Sequence, residues 1–189
     1  MQWTTTRKLR VLDFDMENRP LNYVGEDFTF GEVTAIAWKF SESKEEPACV
    51  LLEPGMTTKP LLALFRTAYA EADVVTGHNI LRHDLRFLNG ACLEMGLAPL
   101  HPKLVCDTYR HLKQRRGVGA SQENLAKMLG VNGHKIAMSQ TDWRMANRLT
   151  PEGIEKTRKR VTGDVIQHIV LREKLLELGW LRPPVRWSP

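Results

Sequence analysis

Three short stretches of this chain carry acidic residues where acid is costly to bury. VLDFDMEN holds Asp15 and Glu17 two residues apart after an apolar, strand-like run. VVTGHNILRHDLRFL holds Asn79 and Asp84, and KRVTGDVIQHIVL places Asp164 inside a long helical pattern. Four carboxylates gathered from distant parts of a chain repel one another, and desolvation adds to the cost. Divalent cations between them remove that penalty. An all-oxygen cluster suits Mg²⁺ or Mn²⁺, and a pair of such ions suits hydrolysis of a phosphodiester. These residues set the expectation of a metal-dependent nuclease.

The spacing supports a shared site. Residues two apart on a strand point the same way, so Asp15 and Glu17 share a face. Asp13 shares it too, and whether it joins the site is open at this level. An isolated Asp-x-Glu reads more readily as a solvated strand end. The second stretch changes the balance. Gly77-His78-Asn79 is an abrupt turn between strand and helix, with Asn79 beside the helix start, where its amide caps the helix or meets a substrate. Asp84 falls in the second helical turn of that reading. Asp164 alone reads as core-edge structure, but the combination is more specific than its parts.

Hydrophobic periodicity supplies the elements that must position these groups. Residues 8–14, 32–40 and 48–53 read as three strands with short links, an antiparallel meander. Residues 60–72 have helical spacing, 73–76 a short strand, 81–95 a second helix and 103–107 a fifth strand. The expected fold is α/β: a mixed five-stranded sheet, three antiparallel strands then two parallel, flanked by helices. Only helices are expected beyond it. Ser121 starts one that stops at Gly130, and Ser139 with Asp142 forms a capping box for another. Thr150-Pro151-Glu152 opens a long helix running to about Leu178, closed by Gly179. The tail, residues 180–189, has no regular period. Trp38, Trp143 and Trp180 read as packing residues.

With 189 residues, 42% of them hydrophobic, the chain is long enough for one domain with a real core, expected at about residues 9–178. Its formal charge of +5 is unevenly spread: residues 1–100 are net −4, whereas residues 101–160 are net +8. An acidic half facing a basic middle suits a polyanionic substrate. Cys49, Cys92 and Cys106 lack CxxC spacing, which argues against a disulfide framework or structural zinc and for a reducing compartment. No apolar stretch reaches membrane-spanning length and no signal peptide core is present, so a cytoplasmic protein without membrane association is expected.

FDME, then GHNxxxxDLxFL, then an Asp followed by Val in a late helix, resemble the three exonuclease motifs of the DEDD superfamily of 3′–5′ exonucleases. The second motif is most similar to the proofreading domains of family B DNA polymerases and to small stand-alone phage exonucleases. The resemblance implies an RNase H-like fold and two Mg²⁺ or Mn²⁺ ions held by Asp15, Glu17, Asp84 and Asp164. It also implies hydrolysis at the 3′ end of DNA, at single-stranded or frayed ends, releasing nucleoside 5′-monophosphates, with RNA as an alternative substrate and a separate DNA polymerase as a partner. Asn79, Lys135, Lys159 and Arg160 are the expected substrate contacts.

The chain departs from the pattern in two ways. Relatives carry a tyrosine four residues before the last Asp, or a histidine five before it, to manage the attacking water. Here those places hold Arg160 and Lys159. Arg is no base near neutral pH, and Lys becomes one only if its pKa is strongly depressed. Arg160 lies one turn from Asp164, so it either meets the scissile phosphate or forms an i,i+4 ion pair. A metal-lowered water pKa makes a separate base dispensable; otherwise His134 or Lys135 supplies one. The second departure is His83, where relatives have an aromatic residue.

A competing reading comes from QENLAKMLGVNGHKIA. There Ala126, Gly130 and Ile136 fall at the spacing of a helix-turn-helix, which would make the chain a non-catalytic DNA-binding protein.

Overall fold

Alternation in VLDFDMENRP makes β1, Val11–Pro20, whose Leu12, Phe14 and Met16 are buried on one face. Asp13, Asp15 and Glu17 take the opposite face. β2, Gly31–Phe40, pairs antiparallel with β1, and β3, Ala48–Leu51, pairs antiparallel with β2. Then β4, Val74–Gly77, lies parallel to β1, and β5, Lys103–Asp107, lies parallel to β4. A sixth strand, β6, Val185–Trp187, runs antiparallel to β5. The sheet order is β3-β2-β1-β4-β5-β6 in this computed structural model, which describes residues 8–21, 31–113, 117–131 and 136–189.

Helices cover both faces of the sheet. α1, Lys59–Glu71, and α2, Asp84–Glu94, supply Leu61, Leu62, Phe65, Leu85 and Leu88 to the core under Leu12 and Phe14. Each such side chain contributes about 1.5–3 kcal/mol on burial. On the acidic face lies α6, Pro151–Glu177, whose Val161 and Val165 pack on Ala35 and Ala37. Those alanines stand opposite Glu17 and Asp15 across the β1–β2 ladder. Their small side chains let the helix approach the carboxylates. α3, Thr108–Leu112, and α4, Gln122–Met128, build a satellite core in which Leu112 and Leu125 meet Leu171 and Leu175. α5, Gln140–Asn147, completes the order.

The caps fall where the sequence puts them. Ser121 Oγ accepts from Asn124 N, Ser139 and Asp142 form a reciprocal capping box, and Thr150 Oγ1 accepts from Gly153 N. Gly179 follows α6 with φ +72°, the left-handed conformation glycine adopts without penalty.

Three expectations need correction. β1 begins at Val11 rather than residue 8 and continues to Pro20, so Asp15 and Glu17 lie inside the strand. α2 begins at Asp84 rather than residue 81, because residues 78–83 leave the helical path. The sheet has six strands rather than five, and the tail, expected to be irregular, supplies the sixth. Val185-Arg186-Trp187 is too short to show a period, and its pairing depends on the chain returning to β5. Among the described residues, no helix is long and apolar enough to cross a membrane. The three cysteines are free, and burial raises the Cys106 thiol to about 11.

Candidate metal centre

β1 lies at the middle of the sheet, where antiparallel pairing changes to parallel, and β4 pairs with it only along Val11–Asp13. Past Asp13 that edge of β1 is open. A shift in the β1–β2 register between Glu17 and Asn18 bends the strand at the same place. The amide of Met16, freed from the ladder, donates to Asp84 Oδ1 at 3.2 Å. This bond fixes the first residue of α2 against the strand that carries the first two acids.

α6 completes the group from above the acidic face. Ligand oxygens of Asp15, Glu17 and Asp164 all lie within 4.8 Å of one another. Asp84 is outside that trio but opens on the same cavity of about 420 Å³. Asp164 and Asp84 are buried, and Asp15 and Glu17 half-buried. Burial pushes the Asp84 carboxyl up; His83 Nδ1, 3.4 Å away, and the Met16 amide draw it back. The contact with Asp84 raises His83 in turn.

Arg160 enters the same group. Its Nε lies 3.1 Å from Asp164 Oδ2 and 3.4 Å from Glu17 Oε1, and its Nη1 donates to the Ile136 carbonyl at 2.9 Å. Among the described residues, one guanidinium faces the carboxylates of this cavity, and the clustered ligand atoms of Asp15, Glu17 and Asp164 are all oxygens. That donor set fits hard divalent cations such as Mg²⁺ or Mn²⁺.

Asn79 lines the cavity with φ +72°, a left-handed backbone that asparagine tolerates better than most residues. The conformation is held by Asp107. Its Oδ1 accepts from Asn79 N and Arg110 N, and its Oδ2 from Leu81 N. Capturing those amides is what delays the start of α2.

Lys159 is not brought to the cavity; it is exposed and its Nζ lies 3.5 Å from Glu155 Oε1. Lys135 and His134 lie outside the described residues. Asp13 does not join the trio either. It is fully buried and receives two hydrogen bonds from Arg172 and one from Ser41 Oγ. Burial pushes its carboxyl up, and those donors draw it back.

Sequence reasoning passed over His78, Tyr109 and Gln122, which also line the cavity. Their rings and amide arrive by folding: His78 Nδ1 and Thr108 Oγ1 are 2.9 Å apart, and Gln122 Nε2 donates to the Asp164 carbonyl. The position of His78 inside Gly-His-Asn was the available signal. The helix-turn-helix reading loses its second helix: residues 136–139 are not helical, and the next helix begins at Gln140. Trp180, expected to pack, is 45% exposed.

No family model and no curated protein matches this chain. Among solved structures, it is similar to the family B DNA polymerase from the hyperthermophilic archaeon Pyrobaculum calidifontis, with a TM-score of 0.70 and 19% sequence identity. That match covers 93% of this chain and 25% of the polymerase, so the chain spans about a quarter of its neighbour's length. At this identity the likeness concerns the fold: a mixed α/β sheet of RNase H-like type, flanked by helices.

Proposed function

We propose that this chain is a metal-dependent 3′–5′ exonuclease of the DEDD type, acting on the 3′ end of DNA and releasing nucleoside 5′-monophosphates. One observation carries the reading: Asp15 and Glu17 from β1 and Asp164 from α6 converge within 4.8 Å, and Asp84 opens on the same cavity. The similarity in fold to a family B DNA polymerase supports DNA as the substrate class and a separate polymerase as a partner.

Asp15, Glu17 and Asp164 would hold one divalent cation, and Asp84 would help to hold a second. When bound, such a pair supplies Lewis acidity to the attacking water and to the leaving 3′ oxygen. Asp84 is anchored to the Met16 amide, so its placement costs no reorganisation when substrate arrives. Arg160 would move from its carboxylates towards the scissile phosphate and offset the charge that develops there. A guanidinium offers hydrogen-bond donors and no acceptor, so the proton of the attacking water goes elsewhere. The imidazoles of His83 and His78 line the cavity and are able to take it.

The test is incubation of purified protein with 5′-labelled single-stranded, 3′-recessed and blunt DNA, and with RNA. A ladder shortening from the 3′ end is expected, dependent on Mg²⁺ or Mn²⁺ and abolished by Asp15→Ala or Asp84→Ala. Unchanged cleavage in both variants would overturn the assignment. Faster degradation of RNA than DNA would move the substrate to an exoribonuclease's.

A further inference from the structure

The acidic cavity does not end at Asn79. Asn79 and Tyr109 form a common wall with a second concavity of about 690 Å³, lined on its far side by Arg82, Arg86, Arg110 and Lys113. Leu81, Asp107 and Arg110 form a common wall between this groove and a third, of about 410 Å³, which adds Arg182 and His111. Three clefts therefore follow one another across the surface, acidic at one end and basic along the rest.

Their charge is available. Arg82, Arg86, Arg110 and Lys113 are exposed, and none forms an ion pair with another described residue. The carboxylate in the second groove, Asp107, is buried and committed to three backbone amides. Among the side chains that line the groove, four cations therefore face one carboxylate. Surface lysines and arginines commonly sit beside an acid partner; here four line a concavity beside the proposed reaction centre. Aromatic faces accompany them. Tyr109 stands at the junction with its ring edge-on to His78 at 5.5 Å, and Trp187 forms part of the second groove. Trp187 belongs to β6 and Val185 of the same strand lines the third cleft, so the returning tail builds a wall of the track.

We infer that this basic track binds the phosphodiester backbone of a single-stranded nucleic acid, holding the nucleotides that precede the bond at the acidic cavity. The inference rests on the proposed nuclease activity and adds where the rest of the strand lies. A chain of cations interleaved with aromatic rings is how proteins hold single strands without reading sequence: cations track phosphates while bases stack. Stacking on Tyr109 and Trp187 needs unpaired bases, which favours one flexible strand over a rigid duplex.

The experiment is fluorescence anisotropy of a labelled oligothymidylate with the full chain in chelator, so that nothing is cleaved. Arg82→Glu/Arg86→Glu and Arg110→Glu/Lys113→Glu are compared with Lys44→Glu/Lys59→Glu, which makes the same charge change at exposed positions away from the track. Each track variant should weaken binding by about tenfold or more, and the control pair by much less. The salt dependence should also flatten, since each lost phosphate contact removes about 0.7 from the logarithmic slope for a single strand. Equal weakening by track and control pairs overturns the track, as does an absence of binding by the parent protein. Binding lost selectively in the track variants, with no hydrolysis by the parent under any metal, would refute the exonuclease reading and sustain the track. Metal-dependent hydrolysis that the track variants perform with the parent's KM would sustain the exonuclease and refute the track.

Discussion

Asp13 and Arg172 lie 159 residues apart and meet in a buried pair, with Arg172 Nε donating to Asp13 Oδ1 at 2.8 Å and Nη2 to Oδ2 at 3.2 Å. Asp13 belongs to the same strand face as Asp15 and Glu17, and Arg172 lies two turns beyond Asp164 on α6. The pair therefore sets the register of the helix against the strand. Arg160 makes the matching contact at the other end, with Glu17. Between these two pins, Asp164 is delivered to Asp15.

Arg172→Met should cost about 3–5 kcal/mol in urea unfolding, because it leaves a carboxylate buried without its cation. Adding Asp13→Asn to it should restore part of the loss, since the uncompensated charge then disappears. Asp13→Asn alone should lower the proposed nuclease activity as well as stability. A single substitution that leaves the urea midpoint unmoved would show that the pair does not hold α6.

These pins also show what the sequence could and could not disclose. Asp15 and Glu17 were legible because strand alternation is local, and Asp84 and Asp164 because each sits in a short, distinctive run. The caps at Ser121, Ser139 and Thr150 were legible for the same reason. Partnerships were not. Nothing near Asp13 names Arg172, so the strand alone left three equivalent acids where folding brings two to the acidic cavity and makes the third a structural anchor. The late start of α2 was hidden likewise, because the acceptor that diverts the chain at Asn79 is Asp107, 28 residues on.

Arg160 lies against Glu17 and Asp164, two of the carboxylates proposed to hold a metal, and this gives a test that does not rely on catalysis. Arg160→Met removes contacts to Glu17, Asp164 and the Ile136 carbonyl, and should destabilise the metal-free protein by about 1.5–3 kcal/mol. Mn²⁺ should then raise the melting temperature of the variant by more than that of the parent. Binding at a hundred times the dissociation constant is worth about 2.7 kcal/mol. Asp164→Asn should abolish the Mn²⁺ shift in both backgrounds. Equal shifts with and without Asp164 would place the metal elsewhere.

His168 predicts the direction of acid sensitivity. It is fully enclosed, with Nε2 3.2 Å from Thr76 Oγ1 and 3.7 Å from Asp13 Oδ1. Burial, then the charge of Arg172, holds its pKa well below the ordinary histidine value of about 6.5. Asp13 is near but already engaged by Arg172. The unfolded chain therefore binds a proton that the folded one refuses. Stability is complete above about pH 6.5 and falls as pH drops below it, by at most about 1.4 kcal/mol per pH unit. Urea midpoints measured at pH 7 and pH 5 should differ less in His168→Gln than in the parent. His111, also lowered by burial, contributes with the same sign, and His83, raised by its contact with Asp84, with the opposite one. An unaltered slope in His168→Gln would assign the acid sensitivity to other groups.

Gly77 controls the approach of the Asn79 turn to β1. A Cβ there would stand 2.3 Å from Ile80 Cγ2 and 2.8 Å from the Phe14 carbonyl oxygen. Ile80 is fully buried and Phe14 is pinned in the sheet, so neither yields easily. Gly77→Ala should therefore push the turn outward, at a cost of about 1–3 kcal/mol from overpacking. Because Asn79 is a proposed substrate contact, kcat should fall further than stability alone explains, by up to about a hundredfold for a displacement of about 1 Å. Gly90 is the contrast: it is a helical glycine with open space around its Cβ position. Gly90→Ala should stabilise α2 by about 0.5–1 kcal/mol and leave the turn untouched. If both alanine variants behave alike in unfolding and in rate, the close approach at Gly77 does not position the cavity.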